Sequence, residues 1–422
     1  MSATTERILR ILLTVLIIAA AILVAQSPYV LRLAKTEYTF FTTFISVTVL
    51  HIRLRHALSE FALLALSAAV LVAIGSRGDH FPPGAPLCLT FLGLASLMIL
   101  GIRTAWSRKN ARPVIGWGFA AGISIVFLGW VIPPMLTWVA KSNLKGFDLY
   151  LYSFEGSLRI QPCFLLGKAF LKWPLFGKVS TAVYMAISSI YMFVFADLLL
   201  REVKKAKAVF LAFLVSGPLG IAFYNLFPAL GPLYLFGPNF PLRPLPASAI
   251  QHLRLEPVSL YGFPNAMPSL HMTWAVLAFW YSRGASAWVR LVALAFLAFT
   301  VLSTLGTGEH YLADLVVAMP FSLMLLAAFS FSAAWSDAWR IRAIVFGLAA
   351  TVLCMTLLRF QPHFFWVSPV IPWGLCALTV AATLFLEDRL AKYSERRVTS
   401  TAPAINESQG SGEVLSPNAS PS

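Results

Sequence analysis

Apolar runs long enough to cross a bilayer recur from one end of this chain to the other, and no other feature narrows its fold so far. About 20 consecutive apolar residues span a hydrocarbon core as a helix. Runs of this kind fall at roughly 8–26, 38–52, 58–76, 86–103, 114–139, 180–200, 207–227, 268–282, 287–305, 310–333, 341–358 and 366–387. Only 12% of the residues are charged, about half the share found in soluble domains. In lipid, helices and closed barrels alone satisfy every backbone N–H and C=O, and the runs lack the alternation of barrel strands. The expected fold is all-α, a polytopic integral membrane protein with about twelve transmembrane helices.

A net charge of +15 in a soluble protein would point to nucleic acid. Here the Lys and Arg residues flank the spans, so no nucleic-acid partner is needed to explain them. With the N-terminus in the cytoplasm, the inner connections receive 20 of the 32 basic residues, and six of the remainder lie in the loop 140–179. That asymmetry puts both termini on the cytoplasmic side. The first apolar run is long for a signal peptide and precedes no clear small-residue cleavage site, so it reads as a retained anchor. Cys88, Cys163, Cys354 and Cys376 are scattered, with no CxxC or HExxH spacing. Neither a disulfide framework nor a metal site is expected.

Two outer connections are long, and function concentrates in such loops on a helical scaffold. Within 140–179, the segments Gly146–Arg159 and Lys168–Lys178 read as short interfacial amphipathic pieces with lipid-facing aromatics. The connection Phe227–Met267 carries eight prolines, which forbid a long helix and stiffen the loop. Residues 398–422 are rich in Ser, Pro, Asn and Gly and are expected to be a disordered cytoplasmic tail.

Ionisable groups inside spans are costly and call for a reason. Asp197 precedes Arg201 by four residues, the spacing of a structural ion pair. Glu60 is expected to sit at the inner interface beside Arg55 and His56, and His51 and His56 are expected to face solvent. The exceptions collect on the outer side. Met267-Pro268-Ser269-Leu270-His271 opens one span, and Ser303-Thr304-Leu305-Gly306-Thr307-Gly308-Glu309-His310-Tyr311-Leu312-Ala313-Asp314 joins the next two. His310 and Asp314, at i and i+4, share a helix face. The carboxylate can fix the imidazole tautomer and leave the other nitrogen as a nucleophile; the alternative is a buried pair that only locks helices together. Pro268 and Ser269 make a sound helix start whose free N–H groups suit an anion. His271, one turn in, is placed to protonate a leaving oxygen, and Gly306 and Gly308 allow close backbone approach. Phosphoryl transfer needs little more than a nucleophile, an acid and donors around the phosphoryl oxygens.

At these residues the chain resembles the phosphatidic acid phosphatase type 2 (PAP2) superfamily, whose second and third motifs read P-S-G-H and S-R-x5-H-x3-D. Leu270 replaces the glycine and Thr304 the arginine, which is closer to the inositol phosphorylceramide synthase-like branch. The segment Tyr224-Asn225-Leu226-Phe227-Pro228 also resembles that branch. The resemblance implies a six-helix catalytic core at 114–333, flanked by an N-terminal transmembrane extension (1–113) and two C-terminal helices (334–397). It implies an enzyme that is a lipid phosphatase or a headgroup phosphotransferase, with a lipid phosphoester as substrate and no metal or other cofactor. His310 would be the nucleophile, Asp314 its orienting partner and His271 the proton donor. Ser269, Ser303 and Thr304 would contact the phosphoryl group.

The first family motif, K-x6-R-P, is missing: Arg243-Pro244 is present, but Phe236 stands at the lysine. Backbone donors and Thr304 replace only part of the lost charge, and Arg243 and Arg254 are the nearest candidates to supply more. Water as acceptor would make a phosphatase and an alcohol a transferase. The rivals are a membrane transporter, in which the His–Asp pair can relay protons, and an inactive scaffold that uses the pair structurally; against the transporter, no two half-chain repeats pair. The protein is expected in a bacterial inner membrane or its equivalent, with the site on the extracytoplasmic face.

Overall fold

Proline and a few capping side chains set where the apolar runs become helices. In a computed structural model the described residues are 3–27, 30, 38–55, 57–75, 84–107, 111–259 and 261–401. The helices are α1 (Ala3–Gln26), α2 (Tyr38–Leu54), α3 (Ser59–Gly75), α4 (Ala85–Trp106), α5 (Arg112–Ser142), α6 (Asp148–Ser157), α7 (Pro162–Lys172), α8 (Pro174–Met185), α9 (Ile187–Arg201) and α10 (Val203–Leu226). They continue with α11 (Pro232–Phe236), α12 (Ala247–Gln251), α13 (Leu270–Tyr281), α14 (Ala287–Gly306), α15 (Leu312–Ala328), α16 (Ala338–Phe360) and α17 (Val370–Thr401). Proline occupies the first turn of α4, α5, α7, α8 and α11, where its missing N–H costs nothing. Asp337 caps α16 through the N–H groups of Trp339 and Arg340.

Each expected span is a helix, but the lengths differ. Among the described residues, seven helices are long and apolar enough to cross a bilayer, and α8 with α9 forms an eighth that bends by 55°. The other four, α2, α3, α13 and α15, have 17, 17, 12 and 17 residues. At about 1.5 Å per residue they fall short of a hydrocarbon core of about 30 Å. The chain is thus an all-α polytopic membrane protein in which long and short helices pack together, α15 buried and α3 largely exposed. The innermost is α15, where every residue from Ala313 to Ala327 is buried, as expected of a helix apolar on all faces. It packs on α10, α13, α16, α17 and α6. Its C-terminal carbonyls are capped by the buried Arg340, which donates to Ala327, Ala328 and Ala333 at 2.7–2.9 Å.

The N-terminal helices α1 to α4 form a smaller cluster of their own around Phe44, Leu71 and Phe91. The C-terminal halves of α2 and α4 join the main core through Leu50, Leu54 and Leu100. Asp197 ties the parts together. It accepts from Arg201 as expected (2.9 Å), but also from Arg53 on α2 (2.6 Å) and from the Ser286 N–H ahead of α14 (2.9 Å).

Three expectations need correction. His51 does not face solvent: it is 1% exposed at the end of α2, with Nε2 3.4 Å from Glu60. Glu60 pairs not with Arg55 but with Arg103 at 3.0 Å; His56, Arg108 and Lys109 lie outside the described residues. And α6 is not a lipid-facing amphipathic piece, because Leu151 to Ser157 are all buried. Of the expected tail, residues 398–401 continue α17 and the rest lies outside the described residues.

Candidate active site

The two long connections are stitched together before they meet the histidines. A short strand β1 (Lys145–Gly146) pairs antiparallel with β2 (Val258–Ser259), with Lys145 opposite Ser259. Two residues past β1, the Asp148 carboxylate accepts from the N–H groups of Leu230 (3.0 Å) and Gly231 (2.8 Å). Gly231 has φ +129°, and a Cβ there would lie 2.5 Å from the Glu309 carbonyl oxygen. Only glycine fits such a left-handed, close-packed turn. Leu233 N–H then donates to the Gly308 carbonyl at 2.9 Å. The proline-rich loop is thereby held against the segment that leads into His310.

His310 and His271 come together, as the motif spacing suggests, with ring centroids 6.2 Å apart. His310 is 1% exposed. Its Nδ1 faces two acceptors, the Ala266 carbonyl at 3.1 Å and Asp314 Oδ2 at 3.5 Å. An imidazole nitrogen between two acceptors carries the proton, so Nε2 holds the lone pair. That Nε2 lies 3.1 Å from Ser269 Oγ. Ser269 caps α13 by accepting from Met272 N–H, which leaves its own O–H to donate to Nε2. Asp314 Oδ2 also accepts from Tyr311 N–H at 2.7 Å, completing a capping box at the start of α15. Asp314 is therefore fixed by the helix it opens, and His310 by Asp314 and Ala266 together.

The other expected contacts are less uniform. Ser303 Oγ is buried with no hydrogen-bond partner among the described residues, an unmet donor of the kind a ligand oxygen satisfies. Thr304 turns its hydroxyl back to the Thr300 carbonyl at 2.8 Å, while its own carbonyl accepts from His310 N–H. Arg243 is exposed; Arg254, also exposed, has Glu256 as its ionic partner at 3.8 Å. Neither makes a hydrogen bond to the histidine cluster among the described residues. At the position of the family lysine, Phe236 packs on Tyr152 and Phe164 with centroids 4.7 and 5.1 Å away.

Two further acids stand behind the cluster on one face of α6. Glu155 Oε1 accepts from Leu312 N–H at 2.8 Å and from the Cys163 thiol at 2.9 Å, and Cys163 Sγ also lies 3.1 Å from the His310 carbonyl. Burial pushes the carboxyls of Asp148 and Glu155 up to about 7, against the pull of the N–H groups they accept. Burial also raises Glu309, beside the Tyr234 hydroxyl. On the remaining side, Tyr184 of α8 stacks on His271 at 4.2 Å and places its hydroxyl 3.1 Å from Nδ1. Sequence reading missed these three. Asp148 and Glu155 lie seven residues apart, hence on one helical face, in an otherwise apolar stretch, a signal that was there to use. Tyr184 is one tyrosine in an apolar run and carries no local signal.

Residues 149–330 match a family model described as the PAP2 superfamily, and this segment contains every residue of the histidine cluster. The match supports the superfamily to which the motifs point, whose members act in general as phosphatases. No curated protein matches the chain, and no solved structure does.

Proposed function

We propose that this membrane protein with a PAP2 domain is a phosphotransferase or phosphatase for lipid phosphodiesters that works through a phosphohistidine at His310, as in the inositol phosphorylceramide synthase-like branch. The observation that carries the reading is the placement of His310 Nδ1 between Ala266 and Asp314, which aims the Nε2 lone pair at the position shared with Ser269 and His271. Nε2 attacks phosphorus, and the bond from phosphorus to the leaving oxygen breaks. With the substrate phosphate beside it to balance the charge, His271 as the imidazolium gives its Nε2 proton to that oxygen. Asp314 stabilises the positive charge that the His310 ring acquires. Neutral His271 then takes the proton of the acceptor hydroxyl as that oxygen attacks and the P–N bond breaks. The Ser269 hydroxyl, which caps Nε2 at rest, turns to a phosphoryl oxygen, and Ser303 supplies a second donor.

The charge around the site favours a diester. A phosphomonoester carries close to two negative charges near pH 7 and calls for arginine or lysine around its oxygens. Phe236, Thr304 and the exposed Arg243 and Arg254 leave the cluster without a bonded cation among the described residues, while acids flank it. A diester carries a single charge that hydroxyl and backbone donors can meet. The test is product analysis on purified protein in detergent with phosphatidylinositol or phosphatidate, with and without ceramide as acceptor, beside His310→Ala. The expected result is turnover of the diester at least tenfold above the monoester, lost in His310→Ala. Faster turnover of phosphatidate would contradict the diester assignment, and activity untouched by His310→Ala would contradict the mechanism.

A further inference from the structure

The histidine cluster has a wall that neither signature motif supplies. α8 ends at Met185, and the chain turns by 55° into α9. Tyr184 sits at that bend, buried, with its ring 29° from parallel to His271 at a centroid separation of 4.2 Å. Its hydroxyl is 3.1 Å from His271 Nδ1. His271 Nε2 makes no hydrogen bond to any described residue, and the ring is partly open. One edge of the imidazole is therefore held and the other is available.

We propose that Tyr184 is the positioning residue of the proton-transfer group, accepting from His271 Nδ1–H so that only Nε2 gains and loses the mobile proton. The inference rests on the reading of His310 as nucleophile and His271 as acid. For His271 to act first as acid and then as base through Nε2, Nδ1 must keep its proton throughout; losing both would leave an imidazolate. A neutral acceptor at Nδ1 secures that tautomer in both states. The second motif histidine thus has the same kind of support as the third: a fixed acceptor on Nδ1 and a working Nε2. The supports differ in charge. The Asp314 carboxylate suits a ring that becomes permanently cationic as phosphohistidine, whereas the Tyr184 oxygen leaves His271 free to alternate between charged and neutral forms. The stacked ring sets the imidazole plane, and the bend after Met185 brings Tyr184 over α13 instead of letting it continue along a straight span.

The experiment separates proton transfer from packing by varying the leaving group. Tyr184→Phe keeps the ring and removes the oxygen; Tyr184→Leu removes both. First-turnover rates would be measured with phosphatidylinositol, whose alkoxide must be protonated, and with bis(4-nitrophenyl) phosphate, whose nitrophenolate leaves without a proton. We expect Tyr184→Phe to lose 10- to 100-fold with the lipid, the usual weight of one acid–base group, and at least tenfold less with the nitrophenyl diester. Tyr184→Leu should lower both, since the ring plane is then unset. Equal losses on the two donors for Tyr184→Phe, or no loss on either, would overturn the role. Rates that survive His310→Ala unchanged on both donors would instead sink the underlying reading, and this role with it.

Discussion

At the scale of single residues, the site is built from side chains that are each held at one edge. His310 is held at Nδ1 by two acceptors, and its Nε2 meets the Ser269 hydroxyl; Asp314 is held at Oδ2, while its Oδ1 is buried without a partner among the described residues. Glu155 and Asp148 make the supports sensitive to pH. Both carboxyls are raised by burial to about 7 in the folded protein, against about 4 when unfolded. The folded state therefore holds protons that the unfolded state has released. Stability from these groups is full below about pH 4 and is lost as pH rises towards about 7, by on the order of 3 kcal/mol per group. Glu155→Gln keeps an oxygen for Leu312 N–H and removes the titration. In detergent, the melting temperature of the wild type should fall between about pH 5 and 8, and that of Glu155→Gln should fall less. Parallel curves would show that Glu155 does not carry this dependence.

At the scale of elements, what matters is where helices start. α13 opens at Ser269, α15 opens on the capping box of Tyr311 and Asp314, and Glu155 holds the first N–H of α15. Ser269, His271 and Asp314 thus sit at helix starts, which fixes them more tightly than a loop would, and His310 lies two residues ahead of α15. The proline-rich loop is clamped to them at Gly231, and there the clamp is testable. Gly231→Ala would force a Cβ against the Glu309 carbonyl in a left-handed backbone, a strain on the order of 2 kcal/mol. We expect a lower melting temperature and at least a tenfold fall in kcat/KM, because the segment before His310 shifts. Unchanged activity would show that the clamp does not set the site. Much of this level could be read from the sequence. Pro268-Ser269 gave the helix start, because it follows from local geometry. The expected shared helix face of His310 and Asp314 does not form: His310 lies two residues ahead of α15, and the two meet because Asp314 reaches back to the Tyr311 N–H in the capping box. The buried α6 was misread, since its ten residues are amphipathic only in relation to neighbours far away in the chain. His51 was misread for the same reason: its partner Glu60 is local, but its burial depends on α4.

At the scale of the whole molecule, two short helices, α13 and α15, stand at the centre of the site. α13, with 12 residues, spans about 18 Å, and α15 is buried along its length. Each of the twelve apolar runs is helical, one of them broken between α8 and α9, but the runs did not show which helices were short, because length within a run is set by loops and caps as much as by hydropathy. The net charge of +15 described the flanks of the spans, and the site itself draws on none of it through a hydrogen bond among the described residues. The contrast is what favours the proposed lipid diester donor: hydroxyls, backbone and two histidines can meet one phosphoryl charge, where a monoester calls for cations.

The central claim is the covalent phosphohistidine, and the direct measurement is to trap it. Purified protein would be mixed with phosphatidylinositol labelled in its phosphate, quenched in alkali within one turnover, digested and sequenced by mass spectrometry. The account predicts a base-stable, acid-labile label on the peptide containing His310, absent in His310→Ala. A label that persists in His310→Ala, or turnover with no label in any peptide, would contradict it.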